Sequence, residues 1–177
     1  MTTTDRLAKA LSSSEDVLAF RDVAIRYCTF IESRSQFTKQ QFLRQCRLLL
    51  SELYLRAVHL PVFEPTSENV WAREMEHEAW DSLFLSLIEL LGETGSYAEV
   101  YDPIHPSESE PTQQHLADDL ADIYRDLKEG IICWDSDSPE RYELAVWQWK
   151  FNFEDHWGRH LTGALKAIHW LAEDPLK

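Results

Sequence analysis

The sequence predicts an all-α, single-domain helical bundle of about five long helices, with one long acidic, proline-containing loop. Three observations carry that expectation. Apolar residues recur at three- and four-residue spacing through most of the 177 residues, the repeat of a one-sided helix. No segment sustains the period-two alternation of a half-buried strand. Capping residues, prolines and a glycine fall where the periodic runs start and stop. With 44% apolar and 27% charged residues, the chain can bury a sizeable core.

Residues 1–13 are expected as a loose tail or short helix ahead of a 14–177 domain. The first long helix spans about Ser14 to Ser33, with Val17, Phe20, Ala24, Cys28 and Ile31 on one face. Thr38 and Gln41 have capping-box spacing and open the second helix. Its stripe is Phe42, Cys46, Leu49, Leu53, Ala57 and Leu60, and Pro61 stops it. The third runs from about Asn69 to Leu91, with Gly92 as the residue that closes it. The fourth starts near Thr112, behind Pro111, and ends near Ile132. Ser138 before Pro139 is a cap with proline in the first helical position, and the fifth helix continues to about Ala172. Glu93 to Pro111 forms a connection of nineteen residues with three prolines and four glutamates. Connections that long are usually functional or disordered; Tyr97, Val100, Tyr101 and Ile104 are expected to pack part of it on the bundle.

Charge narrows the classes. The net charge is −14 at pH 7. Residues 1–60 carry nine basic and six acidic side chains, residues 61–177 eight and twenty-five. The acidic two-thirds repels phosphate backbones and anionic membranes, so neither direct nucleic-acid binding nor membrane association is expected. A protein partner with a basic surface, a divalent cation and plain solubility are the permitted readings of the acidity, and a homo-oligomer is compatible with each. Cys28, Cys46 and Cys133 lie far apart, match no zinc spacing and suit a reducing compartment. Neither the first fourteen residues nor the most apolar window, Leu83 to Leu91, has the length of a signal peptide or a membrane span. A cytoplasmic location is the expectation.

The informative positions are polar residues on or beside apolar stripes. On the third helix, Glu74 and His77 form an E-x-x-H pair on the stripe of His77, Trp80, Phe84, Leu87 and Leu91, a spacing used in carboxylate-bridged metal bundles. On the fourth, His115, Asp119, Asp122 and Asp126 fall together on the flank of Leu116, Leu120, Ile123, Leu127 and Ile131, whereas Asp118 points elsewhere, to water. On the fifth, Lys150 and Glu154 fall on the stripe of Val146, Trp147, Phe153, Trp157, Leu161, Ala164, Leu165 and Ile168, with His160 at its edge. An ion pair there needs further partners. His156 and His160 stand one turn apart, a spacing that chelates metals. Glu74, His77, Asp119 and Asp122 are therefore the candidate metal ligands, and Glu154 and His160 the candidate proton-handling residues. Carboxylates alone suit Mg²⁺ or Mn²⁺; added imidazoles favour Mn, Fe or Zn. Neither a G-x-S-x-G elbow nor a glycine-rich phosphate loop occurs.

Two stretches, His115 to Gly130 and Ala145 to Leu161 with the following Ala164 to His169, together with Tyr97 to Pro103, resemble an uncharacterised bacterial family, domain of unknown function 5063. The resemblance spans most of residues 15–172 and implies an all-helical fold; no activity is established for that family. A second resemblance is to the all-helical nucleoside triphosphate pyrophosphohydrolases, which hold magnesium with E-x-x-E on one helix and E-x-x-D on another. Glu78-x-x-Asp81 and Asp119-x-x-Asp122 would take those parts, with Asp in place of Glu at the start of the second.

Three functions follow as expectations. The leading one is a protein-interaction or regulatory module, carried by the tryptophan-rich fifth helix and the absence of a complete catalytic motif. The alternatives are a divalent-metal-dependent hydrolase of nucleotides or phosphate esters, and an acidic mimic of nucleic acid.

Overall fold

The computed structural model describes residues 2–66, 77–100, 104–105, 110–136 and 138–173. The chain is an all-α bundle of α1 (Thr3–Ser12), α2 (Glu15–Glu32), α3 (Lys39–Val58), α4 (His77–Leu91), α5 (Leu116–Asp135), α6 (Pro139–Asn152) and α7 (Gly158–Glu173). The caps read from the sequence form as expected. Thr38 and Gln41 close a capping box, Ser138 accepts from the Arg141 amide with Pro139 behind it, and Gly92 takes a left-handed φ of 58°. Within residues 1–13, Thr3–Ser12 form a helix, opened by a second capping box of Thr2 and Asp5. The N-terminal part of the third predicted helix, Asn69 to Glu76, lies outside the described residues.

α5 is the central element. It packs against α2, α4, α6 and α7, while α3 lies across α2 and α7, and α1 rests on α6. One contiguous apolar core joins them, from Val17, Phe20 and Tyr27 through Leu50 and Leu53 to Leu120, Trp149 and Trp157. Among the described residues no helix is long and apolar enough to cross a membrane.

Two elements depart from the sequence expectation. The long connection contains an antiparallel hairpin, β1 (Ser96–Glu99) with β2 (Thr112–His115), in the register Ser96↔His115 to Glu99↔Thr112. In β1, half-buried Tyr97 and Glu99 alternate with exposed Ser96 and Ala98; four residues of alternation are too few to announce a strand. The fourth helix accordingly starts at Leu116 and not near Thr112.

The predicted fifth helix is two α-helices joined by a π-helical turn, Phe153–Trp157. The buried positions show the change of phase. They run Ala145, Trp149, Asn152 before the turn and Trp157, Leu161, Ala164, Ile168 after it, so the step across the turn is five residues. A π turn widens the ring by one residue and rotates everything beyond it by about 100°. Gly158 makes room for the turn: a Cβ there would lie 2.1 Å from the Phe153 carbonyl oxygen. The Trp157 indole N–H then donates to the Trp149 carbonyl at 3.2 Å.

Candidate metal centre

The π turn aims His156 and His160 at α5, where Asp119, Asp122 and Asp126 share one face. All three aspartates are buried, at 3%, 9% and 5% exposure. His156 Nδ1 lies 2.7 Å from Asp126 Oδ2, and His160 Nδ1 lies 2.9 Å from Asp119 Oδ1. A carboxylate only accepts, so each Nδ1 carries the hydrogen and each neutral ring keeps its lone pair on Nε2. Both Nε2 atoms point toward the same oxygen, Asp122 Oδ2, at 3.7 Å from His156 and 3.6 Å from His160. Those separations exceed hydrogen-bond length. They approach the roughly 3.3 Å between ligand atoms that each sit about 2.0–2.1 Å from a tetrahedral metal.

The rest of the polar wiring leaves that oxygen available. The other Asp122 oxygen, Oδ1, accepts from the Trp80 indole at 3.0 Å and from the Arg125 guanidinium at 3.0 Å. Asp119 Oδ2 accepts from the Tyr97 hydroxyl at 2.8 Å. Gly163 leaves space for that hydroxyl, since a Cβ there would come within 2.7 Å of it. Trp80 stacks on Phe84 with centroids 5.2 Å apart and has Arg125 over its face at 5.9 Å, which walls the α4 side.

The result is two histidines and one carboxylate with ligand atoms within 4.8 Å of one another, each histidine held from behind by its own aspartate. Carboxylate–histidine–metal relays of this kind orient the ring and raise its basicity. Among the described residues no other group of three His, Cys, Asp or Glu side chains gathers this closely.

Electrostatics follow from the same contacts. Burial opposes the charged form of His160, but the hydrogen bond to Asp119 and the charges of Asp119, Asp122 and Asp118 outweigh it and raise its pKa. Asp118, expected to face water, is half-buried; burial, then the Asp122 charge, pushes its carboxyl up. Burial and the neighbouring Asp119 push the Tyr97 hydroxyl far above its ordinary value, so it stays a donor.

Several candidates stand elsewhere. His77, expected to face inward, is exposed and 3.9 Å from Asp81. It is the first described residue of α4, whose buried side is Leu83, Leu87 and Leu91, and nothing described covers that end. Glu74 lies outside the described residues. Glu78 and Asp81 are exposed on α4, whereas Asp119 and Asp122 turn inward to the histidines, so the magnesium arrangement of the pyrophosphohydrolases is not what the buried aspartates form. His115, expected beside Asp119, caps α5: its Nδ1 accepts from the Ala117 amide, which leaves Nε2 to donate to the Gly92 carbonyl at 3.1 Å. Glu154 pairs with Lys150 at 3.0 Å, but its side chain is 61% exposed. The π turn carries Glu154 off the buried stripe, while Lys150 lies near the Phe153 ring. Trp80, Arg125 and Tyr97 were not singled out for the site. Their contacts to Asp122 and Asp119 span 42, 3 and 22 residues, and only the three-residue spacing of Arg125 from Asp122 leaves a trace in the sequence.

Comparison with known proteins agrees with this architecture. No curated protein matches the chain. Among solved structures, protein BF1032 from Bacteroides fragilis is similar, with a TM-score of 0.81 at 24% identity, over 93% of this chain and 97% of that one; at that identity the likeness concerns the fold. The model of a family described as a domain of unknown function, DUF5063, matches residues 12–174, and with nearly its whole length matched the chain belongs to that family.

Proposed function

We propose that this protein is a metal-dependent hydrolase that holds one first-row transition-metal ion on His156 Nε2, His160 Nε2 and Asp122 Oδ2. The observation that carries this reading is the pair of back-bonded histidines whose remaining nitrogens converge on a single carboxylate oxygen. Two imidazoles and one carboxylate favour Zn, Fe or Mn over Mg or Ca, and three protein ligands leave coordination positions open for water and substrate.

A metal in such a site lowers the pKa of its bound water and supplies hydroxide near neutral pH. Asp118, half-buried and with its carboxyl raised first by burial and then by the Asp122 charge, would accept that proton in this scheme. The hydroxide that such a metal would supply would add to the electrophilic centre of a substrate, and Asp118 would return the proton to the leaving group. In this scheme Asp119 and Asp126 position the ligands, His160 is a ligand and not a proton carrier, and Glu154 takes no part.

The test is a thermal-shift panel on chelator-treated protein against Mg²⁺, Mn²⁺, Zn²⁺, Co²⁺ and Fe²⁺. A ligand that binds only the folded state stabilises it by about 2.7 kcal/mol at 100 times its Kd. A saturable shift with the transition metals, lost in Asp122→Ala and in His160→Ala, supports the reading. A flat panel removes it and leaves the His–Asp pairs as a structural network.

A protein-interaction or regulatory role is the second reading. It is favoured by Trp170, which stands 72% exposed at the end of α7 between two clefts that share Lys166. Aromatic anchors of this kind are typical of interfaces. A partner recovered with the wild-type chain and lost with Trp170→Ala would establish it.

A further inference from the structure

We propose that the metal centre selects an uncharged or cationic substrate and excludes phosphate esters and other anions; this rests on the metal-hydrolase reading above. The argument is one of charge. Asp118, Asp119, Asp122 and Asp126 surround the two histidines on the α5 side. The cation placed among them is Arg125, 3.0 Å from Asp122 Oδ1 and 4.0 Å from Asp126 Oδ1, with its guanidinium over the Trp80 ring. It is engaged on two carboxylates and an indole face, and no phosphate oxygen could claim it without breaking the contacts that shape the ligand oxygen. The histidines are neutral when they ligate. A divalent ion therefore leaves the loaded centre net negative.

The surroundings have the same sign. β1 brings Tyr97 and Glu99, with Glu99 neutralised by Lys166 at 2.9 Å. α4 brings the Trp80 indole and, further out, His77 with Asp81. α5 contributes Lys128, which is held by Glu32 at 2.8 Å on the α2 side, and α6 contributes Lys150, held by Glu154. Residues 61–177 carry eight basic against twenty-five acidic side chains, and a field of that sign lowers the local concentration of anions. Enzymes that hydrolyse phosphate esters place cations at the phosphate oxygens to neutralise charge in the transition state; here Arg125, Lys128, Lys150 and Lys166 are each spent on a carboxylate. A carbonyl or amidine carbon attached to neutral or basic groups meets no such repulsion at the metal, and Trp80 and Phe84 offer an apolar wall beside it.

The experiment uses the full chain loaded with Co²⁺, whose visible absorption reports its ligands. Imidazole at pH 8, as a neutral probe, and inorganic phosphate and pyrophosphate, as anions, are titrated in parallel at low ionic strength. The expected result is a saturable spectral change with imidazole and at least tenfold weaker binding of both anions. Asp118→Asn, which removes one negative charge without touching a ligand, should tighten phosphate binding relative to imidazole, and added salt should narrow the difference in the wild type. Phosphate or pyrophosphate binding as tightly as imidazole in the wild type overturns the proposal. So does an anion affinity unmoved by Asp118→Asn when Co²⁺ is still bound. Failure of the protein to acquire the Co²⁺ spectrum at all is a different outcome: it overturns the metal reading itself.

Discussion

His156 Nδ1 and Asp126 Oδ2 lie 2.7 Å apart, and this contact determines which nitrogen of the ring is available to a ligand. The Asp126 side chain is 5% exposed, so water cannot replace it as acceptor. Asp126→Asn keeps the shape but loses the charge and the fixed acceptor. Metal affinity should fall by about 10- to 100-fold, the usual cost of losing such an orienting partner. Asp119→Asn should act alike through His160, whereas Asp122→Ala, which removes a ligand, should cost more than either. Competitive Zn²⁺ titration of the three variants checks the order; equal losses at Asp122 and Asp126 would contradict the assigned roles.

The pH dependence of the metal-free protein has a definite sign. His160 has a folded pKa raised above its ordinary 6.5 because its contacts to the aspartates outweigh burial. A raised pKa contributes stability that is fully present below the unfolded value and is lost as pH rises through the folded one. Apo protein should therefore melt lower at pH 8.5 than at pH 6, and His160→Gln should flatten that slope. With metal bound the trend should reverse, because the ring must lose its proton to ligate. Paired melting curves at the two pH values, with and without Zn²⁺, read both signs.

Much of the bundle is legible in the sequence because α2 and α3 bury single stripes, and the stripe positions from Val17 to Ile31 and from Phe42 to Leu60 are in the core. The site was legible in pieces. The three-, four- and seven-residue spacings among Asp119, Asp122 and Asp126 put them on one face, and His156 and His160 fall one turn apart. What joins the pieces is tertiary. The contacts His156–Asp126 and His160–Asp119 span 30 and 41 residues, and periodicity carries no information on which helix faces which. His77 departs for the opposite reason: it continues a stripe by spacing, but among the described residues the buried side of α4 begins at Leu83. The π turn was invisible because a five-residue step between Asn152 and Trp157 looks like noise in a 3.6-residue repeat.

Gly158 is the one local trace of that turn, and it carries a prediction. A Cβ at 158 would meet the Phe153 carbonyl oxygen at 2.1 Å, and that atom is backbone. Gly158→Ala must shift the turn, and a relaxation to α-helix would rotate His160 away from Asp119 by about 100°. Loss of metal binding should accompany a destabilisation of about 1–3 kcal/mol. Gly92→Ala is the control: its Cβ meets open space, so only the left-handed φ costs, about 1 kcal/mol. It should bind metal like the wild type. Denaturant melts with metal titrations separate the two glycines.

Glu154 provides the last prediction, and it concerns a residue that should not matter. Its pairing with Lys150 at 3.0 Å is an i, i+4 contact with one partner 61% exposed. Exposed ion pairs of this type contribute under about 1 kcal/mol once solvent screening and side-chain entropy are counted. Glu154→Gln should change the melting temperature little and leave metal affinity and any hydrolytic rate within twofold of wild type. Lys150, 13% exposed and near the Phe153 ring, packs its stem along the π turn, so Lys150→Ala should destabilise more than Glu154→Gln. Comparable losses of activity in Glu154→Gln and His160→Ala would instead make Glu154 a catalytic residue and move the proton-handling role back to the π turn.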